Sequence, residues 1–132
     1  MFQLDMKSGK SVYEQVVDKI KELIMTGTLP EESKLPSVRE LSRQLTINPN
    51  TVQKAFRELD RDGYIYTISG RGTFVSPRSE IRTDSARVKE VLSGIGDGYR
   101  QLIYLGIDME DARAMVEKEI DSIIENSKGR SL

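Results

Sequence analysis

The chain has 132 residues, a formal net charge of −1 at pH 7, and neither cysteine nor histidine. These missing residue types exclude disulfides, Ser-His-Asp or Cys-His catalysis and the common zinc sites, so we expect no metal centre, no cofactor and no enzyme. No apolar run approaches the roughly 20 residues that span a bilayer. Residues 1–10 lack the pattern of a secretory signal, so we expect a cytoplasmic protein without membrane contact.

The charged residues are unevenly distributed along the chain. Residues 33–79 hold eight lysines and arginines against four acids, whereas the residues from 80 onward hold eight against eleven. A basic middle segment in a nearly neutral chain indicates a local surface for an anionic partner, and nucleic acid is one such partner.

Two helices are predicted in the first third of the chain. The first runs from Ser11 to about Thr26, with Ser11 and Glu14 as a capping box and apolar residues at helical spacing. Residues 29–34 are expected to form a turn or loop. The second helix begins at Ser37, which forms a capping box with Glu40. Its predicted inward residues are Val38, Leu41 and Leu45.

A third helix and a hairpin follow. Thr46 and Ile47 form a short turn, Asn48 caps the third helix, Pro49 takes its first position and Gly63 ends it. Residues 64–68 read as a strand, residues 69–72 as a tight turn and residues 73–75 as the return strand. This order predicts a mainly α fold with a small β-hairpin, a winged helix-turn-helix domain over residues 1–77.

The remaining residues, 78–132, are predicted to form a helical dimerisation tail, with residues 76–83 as a polar linker. Residues 85–105 have a helical pattern, but Gly94, Gly96 and Gly98 each cost about 1 kcal/mol relative to alanine, so we expect a kink or break there. Asp108 is expected to cap the last helix.

The third helix has two distinct faces at about 100° per residue. One is apolar, and the opposite one carries Asn50, Lys54, Arg57 and Arg61 with Gln53 on its flank. Amides can bond adenine edges, and lysine or arginine can reach guanine or a phosphate. A plain solvated helix face is the alternative, which the short turn before the helix and the hairpin after it make less favourable.

Further candidates lie at the start of the second helix and at the hairpin tip. Arg39 could clamp a phosphate or instead form an ion pair with Glu40 or Glu58. The hairpin glycines let the backbone approach DNA closely, with a cation between them. The predicted DNA-binding residues are Ser37, Arg39, Asn50, Thr51, Gln53, Lys54, Arg57, Gly70, Arg71 and Gly72.

The two tail helices carry apolar residues that two helices alone cannot cover. We expect this surface to pair with a second copy of the chain, the alternative being packing within one subunit. The predicted dimer-interface residues are Val88, Leu92, Ile95, Tyr99, Leu102, Ile103, Val116, Ile120 and Ile123.

Four segments together resemble the GntR family of bacterial transcriptional regulators. They are V-Y-E-Q-V-V-D-K-I-K-E-L-I, K-L-P-S-V-R-E-L-S, I-N-P-N-T-V-Q-K-A-F-R-E-L and G-R-G-T-F-V. The resemblance covers about Phe2 to Ser76. The short two-helix tail resembles the YtrA-like branch. The resemblance implies a dimerising tail, repression of operons that encode ABC transporters, and DNA contact by Arg39, Asn50, Thr51, Gln53, Lys54, Gly70 and Arg71.

The chain departs from the family pattern at a few positions. Ser11 stands where proline is common, and Glu32 stands where glycine is usual, which puts the geometry of that turn in question. Pro49 and Gln53 stand where many relatives outside this branch carry arginine, which would alter the bases that are read.

The sequence therefore predicts a cytoplasmic homodimeric repressor that binds an inverted-repeat DNA operator. Two other classes remain open. One is a winged-helix adaptor that contacts another protein. The other is a small-molecule sensor, which is less favoured because the tail offers few convergent polar groups apart from Tyr99, Arg100 and Tyr104. The sequence identifies no small-molecule effector.

Overall fold

A computed structural model of the chain describes residues 2–131, with side chains through residue 126. Its contacts divide the chain into two units, a head that ends at Arg82 and a tail from Thr83 to Arg130. The helices and strands are α1 (Val12–Met25), α2 (Val38–Leu45), α3 (Pro49–Arg61), β1 (Ile65–Ile68), β2 (Gly72–Val75), a 3-10 turn (Arg78–Glu80), α4 (Ser85–Tyr104) and α5 (Met109–Ser131).

Side-chain caps fix the starts of the head helices. Ser37 and Glu40 form both halves of a capping box at α2, and the Asn48 side chain accepts from the Asn50 amide at 2.8 Å at α3. At α1 the Ser11 hydroxyl oxygen accepts from the Glu14 amide at 3.2 Å, while the Glu14 carboxylate lies 3.1 Å from that hydroxyl rather than at the Ser11 amide. These local bonds satisfy amides that a helix start leaves unpaired.

The head has one hydrophobic core, formed where α1, α2 and β1 pack against α3. Of the predicted inward residues of α2, Leu41 is buried, while Val38 and Leu45 are half-buried against the core. Burying one large aliphatic side chain contributes about 1.5–3 kcal/mol, so the apolar face of α3 determines which side of that helix points outward. The buried core residues are Val16, Val17, Ile20, Ile24, Leu35, Leu41, Val52, Ala55, Phe56, Leu59, Ile65 and Val75.

The hairpin is antiparallel, with Ile65 opposite Val75 and Ile68 opposite Gly72. Gly72 therefore lies in β2, and the turn is shorter by one residue than predicted. The loop between α1 and α2 joins the same sheet, because the Leu35 amide donates to the Thr73 carbonyl at 2.8 Å. Residues 33–35 thus form a third, strand-like edge, where the sequence predicted only a turn or loop.

Within residues 2–131, two non-glycine residues adopt left-handed backbone conformations, Glu32 with φ 67° and Thr46 with φ 56°. This conformation costs roughly 1–2 kcal/mol for a residue with a Cβ, which explains why glycine is usual in the family at position 32. Here the Tyr66 hydroxyl donates a hydrogen bond to the Glu32 carboxylate. That bond raises the pKa of Tyr66 above its ordinary value of 10.

Residues 76–82 pack on the head instead of forming a free linker. The Arg78 amide donates to the Glu31 carboxylate at 2.8 Å, and the Arg82 amide donates to the Asp62 carbonyl at 3.0 Å. The contacts place the end of the head at Arg82, whereas the boundary predicted from the sequence lies after Pro77. The contacts of this segment with the head use backbone and charged groups, so its composition is polar. That polar composition led to the prediction of a linker.

Gly63, which follows α3, lies against the backbone of this same segment. It has φ +86°, and a Cβ at this position would overlap the Glu80 carbonyl oxygen. Both the backbone conformation and the close approach require glycine here.

The tail consists of α4 and α5. The break predicted at Gly94, Gly96 and Gly98 is wrong, because α4 is a continuous helix from Ser85 to Tyr104. Glycine weakens a helix but keeps its amide, so the hydrogen-bond ladder continues across it, unlike at proline. Asp108 caps α5 as predicted, since its carboxylate accepts from the Glu110 amide at 3.1 Å. No helix within residues 2–131 is long and apolar enough to cross a membrane.

Candidate nucleic-acid interface

The outward face of α3 carries four polar side chains predicted to bind DNA. Asn50, Gln53, Lys54 and Arg57 are all exposed, and Thr51 at the helix start is half-buried. Within the part of the chain that the structure describes, the side-chain amides of Asn50 and Gln53 make no hydrogen bond. Both amides are therefore available for base edges.

The two arginines of this face differ in their ion pairing. Arg61 lies 3.6 Å from Glu58 and 3.3 Å from Asp62, and the latter contact raises its pKa. Arg57 has no carboxylate within 4 Å among residues 2–126. Arg57 therefore carries the uncompensated charge that a phosphate would attract.

Lys54 is exposed but does not point freely into solvent. Its Nζ lies 4.2 Å from the centroid of the Tyr13 ring on α1, within the range of a cation–π interaction. The Tyr13 hydroxyl donates to Glu58 at 2.5 Å, which raises the pKa of Tyr13. This contact between α1 and α3 joins residues more than 40 positions apart, and no local sequence pattern signals it.

At the start of α2, Arg39 has no ion pair with any residue whose side chain the structure describes. Its guanidinium has no ion pair with either partner that the sequence suggested. Glu40 reaches the Ser37 amide at 3.4 Å, and Glu58 accepts from Tyr13. The Ser37 hydroxyl oxygen is itself occupied by the Glu40 amide at 3.1 Å, so Ser37 has less capacity for a phosphate than Arg39.

The hairpin tip combines open space with positive charge. Gly70 has φ +79° and nothing within 4 Å of where a Cβ would stand, and Arg71 is exposed. At Gly72, with φ +127°, a Cβ would lie 2.7 Å from Cε of Lys34. Gly72 therefore clears the path along which the Lys34 side chain crosses the hairpin.

Lys34 is a candidate that the sequence reasoning missed as a DNA contact. It is exposed and lies opposite Phe74 in an isolated bridge to β2. Its place beside the hairpin depends on pairing between residues 40 positions apart, so only its position just before the L-P-S-V-R-E-L stretch could have drawn attention to it.

All ten residues predicted to bind DNA lie in the head, at three places: the start of α2, the outer face of α3 and the tip of the hairpin. Since α2 and β1 both pack directly on α3, the three groups belong to one packed unit. The arrangement offers amides and unpaired cations, the groups that bind base edges and phosphates.

Comparison with known proteins shows the family to which the chain belongs. The family model described as bacterial regulatory proteins, gntR family, matches residues 12–75. The HTH-type transcriptional repressor YtrA of Bacillus subtilis (strain 168) is 37% identical over 132 residues, covering 97% of this chain and 98% of YtrA. The chain belongs to the GntR family.

Solved structures also resemble this chain over most of its length. A transcriptional antiterminator from Listeria monocytogenes EGD-e has a TM-score of 0.80 at 34% identity, covering 97% of this chain and 92% of that one. YtrA from Sulfolobus acidocaldarius, a GntR-family transcription factor, has a TM-score of 0.57 at 33% identity, covering 76% and 96%. The GntR assignment made from the motifs and the YtrA-like assignment made from the short tail are confirmed, as is the winged helix-turn-helix fold with two C-terminal helices.

Proposed function

We propose that this GntR-family protein is a cytoplasmic transcriptional repressor that binds an inverted-repeat operator as a homodimer. The observation that carries the proposal is the outward face of α3. Its exposed amides, and Arg57 without an ion pair among the described side chains, stand opposite a buried apolar face. The similarity to the repressor YtrA over nearly the whole chain supports repression as the outcome of binding.

Each of the three groups of predicted DNA-binding residues has a role in this proposal. Asn50 and Gln53 read base edges in the major groove, where an amide can bond adenine at two points. Arg57 and Arg39 bind phosphates, and Thr51 lies at the helix start, where backbone amides favour an anion. At the hairpin, Arg71 contacts a phosphate or the minor groove, and Gly70 and Gly72 let the backbone approach.

The tail supports the homodimer. No residue of α4 is buried, and Leu92 and Ile123 are both 59% exposed. A groove of about 460 Å³ lies between α4 and α5 within this unit, and six of the nine predicted interface residues line it. These six are Ile95, Tyr99, Leu102, Val116, Ile120 and Ile123. An exposed apolar surface of this extent is expected to be buried by a partner. A second copy of the chain presents the same apolar surface and can bury it.

The regulated genes are part of the proposal. As the resemblance to the YtrA-like branch implies, we infer control of an operon for an ABC transporter. YtrA of Bacillus subtilis is named a transcriptional repressor and YtrA of Sulfolobus acidocaldarius a transcription factor, which favours a function without catalysis. No small-molecule effector is assigned.

A gel shift with the DNA upstream of the protein's own gene tests this function. If each subunit neutralises about four phosphates, log K falls against log[salt] with a slope near −7 for the dimer. Absence of a retarded band at low salt would contradict the proposal. Sequence-indifferent binding would favour the adaptor, and stabilisation by a small molecule in a thermal-shift screen would favour the sensor.

Arg57→Ala and Arg61→Ala form a matched pair for that assay, because they remove the same charge from the same helix. Arg57→Ala is expected to weaken binding on the order of tenfold and to reduce the salt slope by about one per subunit, since it removes a phosphate contact. Arg61→Ala is expected to have the smaller effect, because two carboxylates already compensate its charge. Equal losses would contradict the role of Arg57.

A further inference from the structure

We propose that Tyr13 of α1 is a positioning residue for DNA binding, which keeps Glu58 away from Lys54 and so leaves the charge of Lys54 unneutralised for a phosphate. The inference rests on the DNA-binding function proposed above. It concerns three side chains that the packing of α1 on α3 brings together.

Spacing on α3 would otherwise pair the lysine with the glutamate. Lys54 and Glu58 are four residues apart, a distance at which oppositely charged side chains on a helix meet and form ion pairs. Yet no carboxylate lies within 4 Å of Lys54 Nζ among the residues with described side chains. The Glu58 carboxylate instead accepts the Tyr13 hydroxyl at 2.5 Å and lies 3.6 Å from Arg61.

The same tyrosine holds the lysine. Lys54 Nζ lies 4.2 Å from the centroid of the Tyr13 ring, which attracts the ammonium through its π electrons. An ion pair with Glu58 would neutralise the charge of Lys54, whereas contact with a ring leaves that charge intact. Tyr13 therefore uses its hydroxyl to engage the acid and its ring to restrain the base.

The position of Lys54 on α3 indicates which DNA group it meets. At 100° per residue, it lies about 40° around the helix from Asn50, on the outward face but displaced toward α1. A lysine restrained at this position cannot reach the base edges at the floor of the major groove. Of the two partners open to lysine, guanine and phosphate, the contact with Tyr13 favours phosphate, a contact that contributes affinity independent of sequence.

The test uses the full-length protein and the operator-containing DNA of the gel-shift assay. Tyr13→Phe keeps the ring but releases Glu58, which then pairs with Lys54. We expect operator affinity at low salt to fall about three- to tenfold and the salt slope of the dimer to fall by nearly two, one phosphate per subunit.

Rescue separates positioning from a general structural role. Adding Glu58→Gln to Tyr13→Phe removes the competing carboxylate, so affinity and salt slope are expected to return to those of the Glu58→Gln protein. Tyr64→Phe is the matched control, because Lys21 Nζ lies over the Tyr64 ring at 5.1 Å, outside the proposed DNA-binding groups. It is expected to leave binding unchanged.

A second measurement follows the ring contact without DNA. In Tyr13→Leu, the NMR signals of the Lys54 ε-methylene group are expected to move downfield, because the shielding by the aromatic ring is lost. Unchanged signals would overturn the contact itself.

The outcomes distinguish this inference from the function on which it rests. If the wild-type protein binds the operator and Tyr13→Phe binds equally well, or if Glu58→Gln fails to rescue a folded Tyr13→Phe protein, the role of Tyr13 is overturned and the repressor function stands. If the wild-type protein does not bind DNA at any salt concentration, both are overturned.

Discussion

The head and the tail differ in how much of their apolar surface is buried. Twelve apolar residues of the head form one core around α3. In the tail, Ala112 is the single buried residue among those whose side chains are described, and most large apolar side chains are exposed. The head therefore has the core of a self-sufficient unit, whereas the tail leaves most of its apolar surface uncovered, as the proposed homodimer requires.

Glycine-to-alanine substitutions are expected to show the largest difference in stability effect between the head and the tail. Gly63→Ala in the head adds a Cβ that overlaps the Glu80 carbonyl and forces a left-handed conformation on alanine. We expect the free energy of unfolding to fall by about 2–4 kcal/mol. Gly94→Ala in the tail, where nothing lies within 4 Å of the new Cβ, should instead stabilise α4 by about 1 kcal/mol. Urea denaturation measures both, and similar effects at the two sites would refute the contrast.

A charge in the tail groove tests whether the tail is half of an interface. Ile120 is 49% exposed and lines the groove, so Ile120→Glu should convert a dimer to a monomer in light scattering. Operator affinity should fall at least about 100-fold, because a single small module buries too little DNA surface for high specificity. Lys118→Glu, an exposed charge reversal outside the groove lining, is the control. A monomeric wild-type protein would contradict the prediction.

A smaller effect is expected at the strained turn between α2 and α3. Thr46 has φ 56° and its side chain has no hydrogen-bond partner within residues 2–126. Thr46→Asn should raise the free energy of unfolding by about 0.5–1 kcal/mol, because asparagine tolerates the left-handed conformation better than a β-branched residue. Glu32→Asn should gain less, since it also loses the hydrogen bond from Tyr66. Chemical denaturation of the two variants checks the order.

The smallest effect concerns alkaline pH. Hydrogen bonds to Glu58 and Glu32 raise the pKa of Tyr13 and of Tyr66 above 10. Because folding raises these pKa values, the stabilisation is complete below pH 10 and is lost as pH rises through the folded-state pKa. Tyr13→Phe and Tyr66→Phe should each remove one late-ionising phenol from the absorbance titration near 295 nm. A variant whose titration loses an ordinary phenol instead would contradict the assignment.

The sequence predicted those features that depend on residues close along the chain. Caps at Ser37, Asn48 and Asp108 fixed helix starts, and the 3.6-residue period separated the two faces of α3. Prediction from the sequence failed for contacts between residues that are far apart along the chain. The bond from the Arg78 amide to Glu31 spans 47 positions, and the contact of Lys54 with Tyr13 spans 41. No periodicity encodes such pairs.

The prediction of a break at the glycines of α4 failed for a different reason. A propensity of about 1 kcal/mol per glycine lowers the stability of a helix but does not by itself set its boundaries. The DNA-binding and dimer-interface residues remain predictions, because their partners, operator DNA and a second copy, lie outside a single chain.

The strand-like edge at residues 33–35 also affects how the hairpin moves. The Leu35 amide donates to Thr73 and the Val75 amide donates to Ser33, so β2 is bonded on both sides before any ligand arrives. A hairpin tethered in this way loses most of its conformational entropy at folding and little on encountering a duplex. Slow deuterium exchange at these two amides in the free protein, unchanged when operator is added, would be its signature.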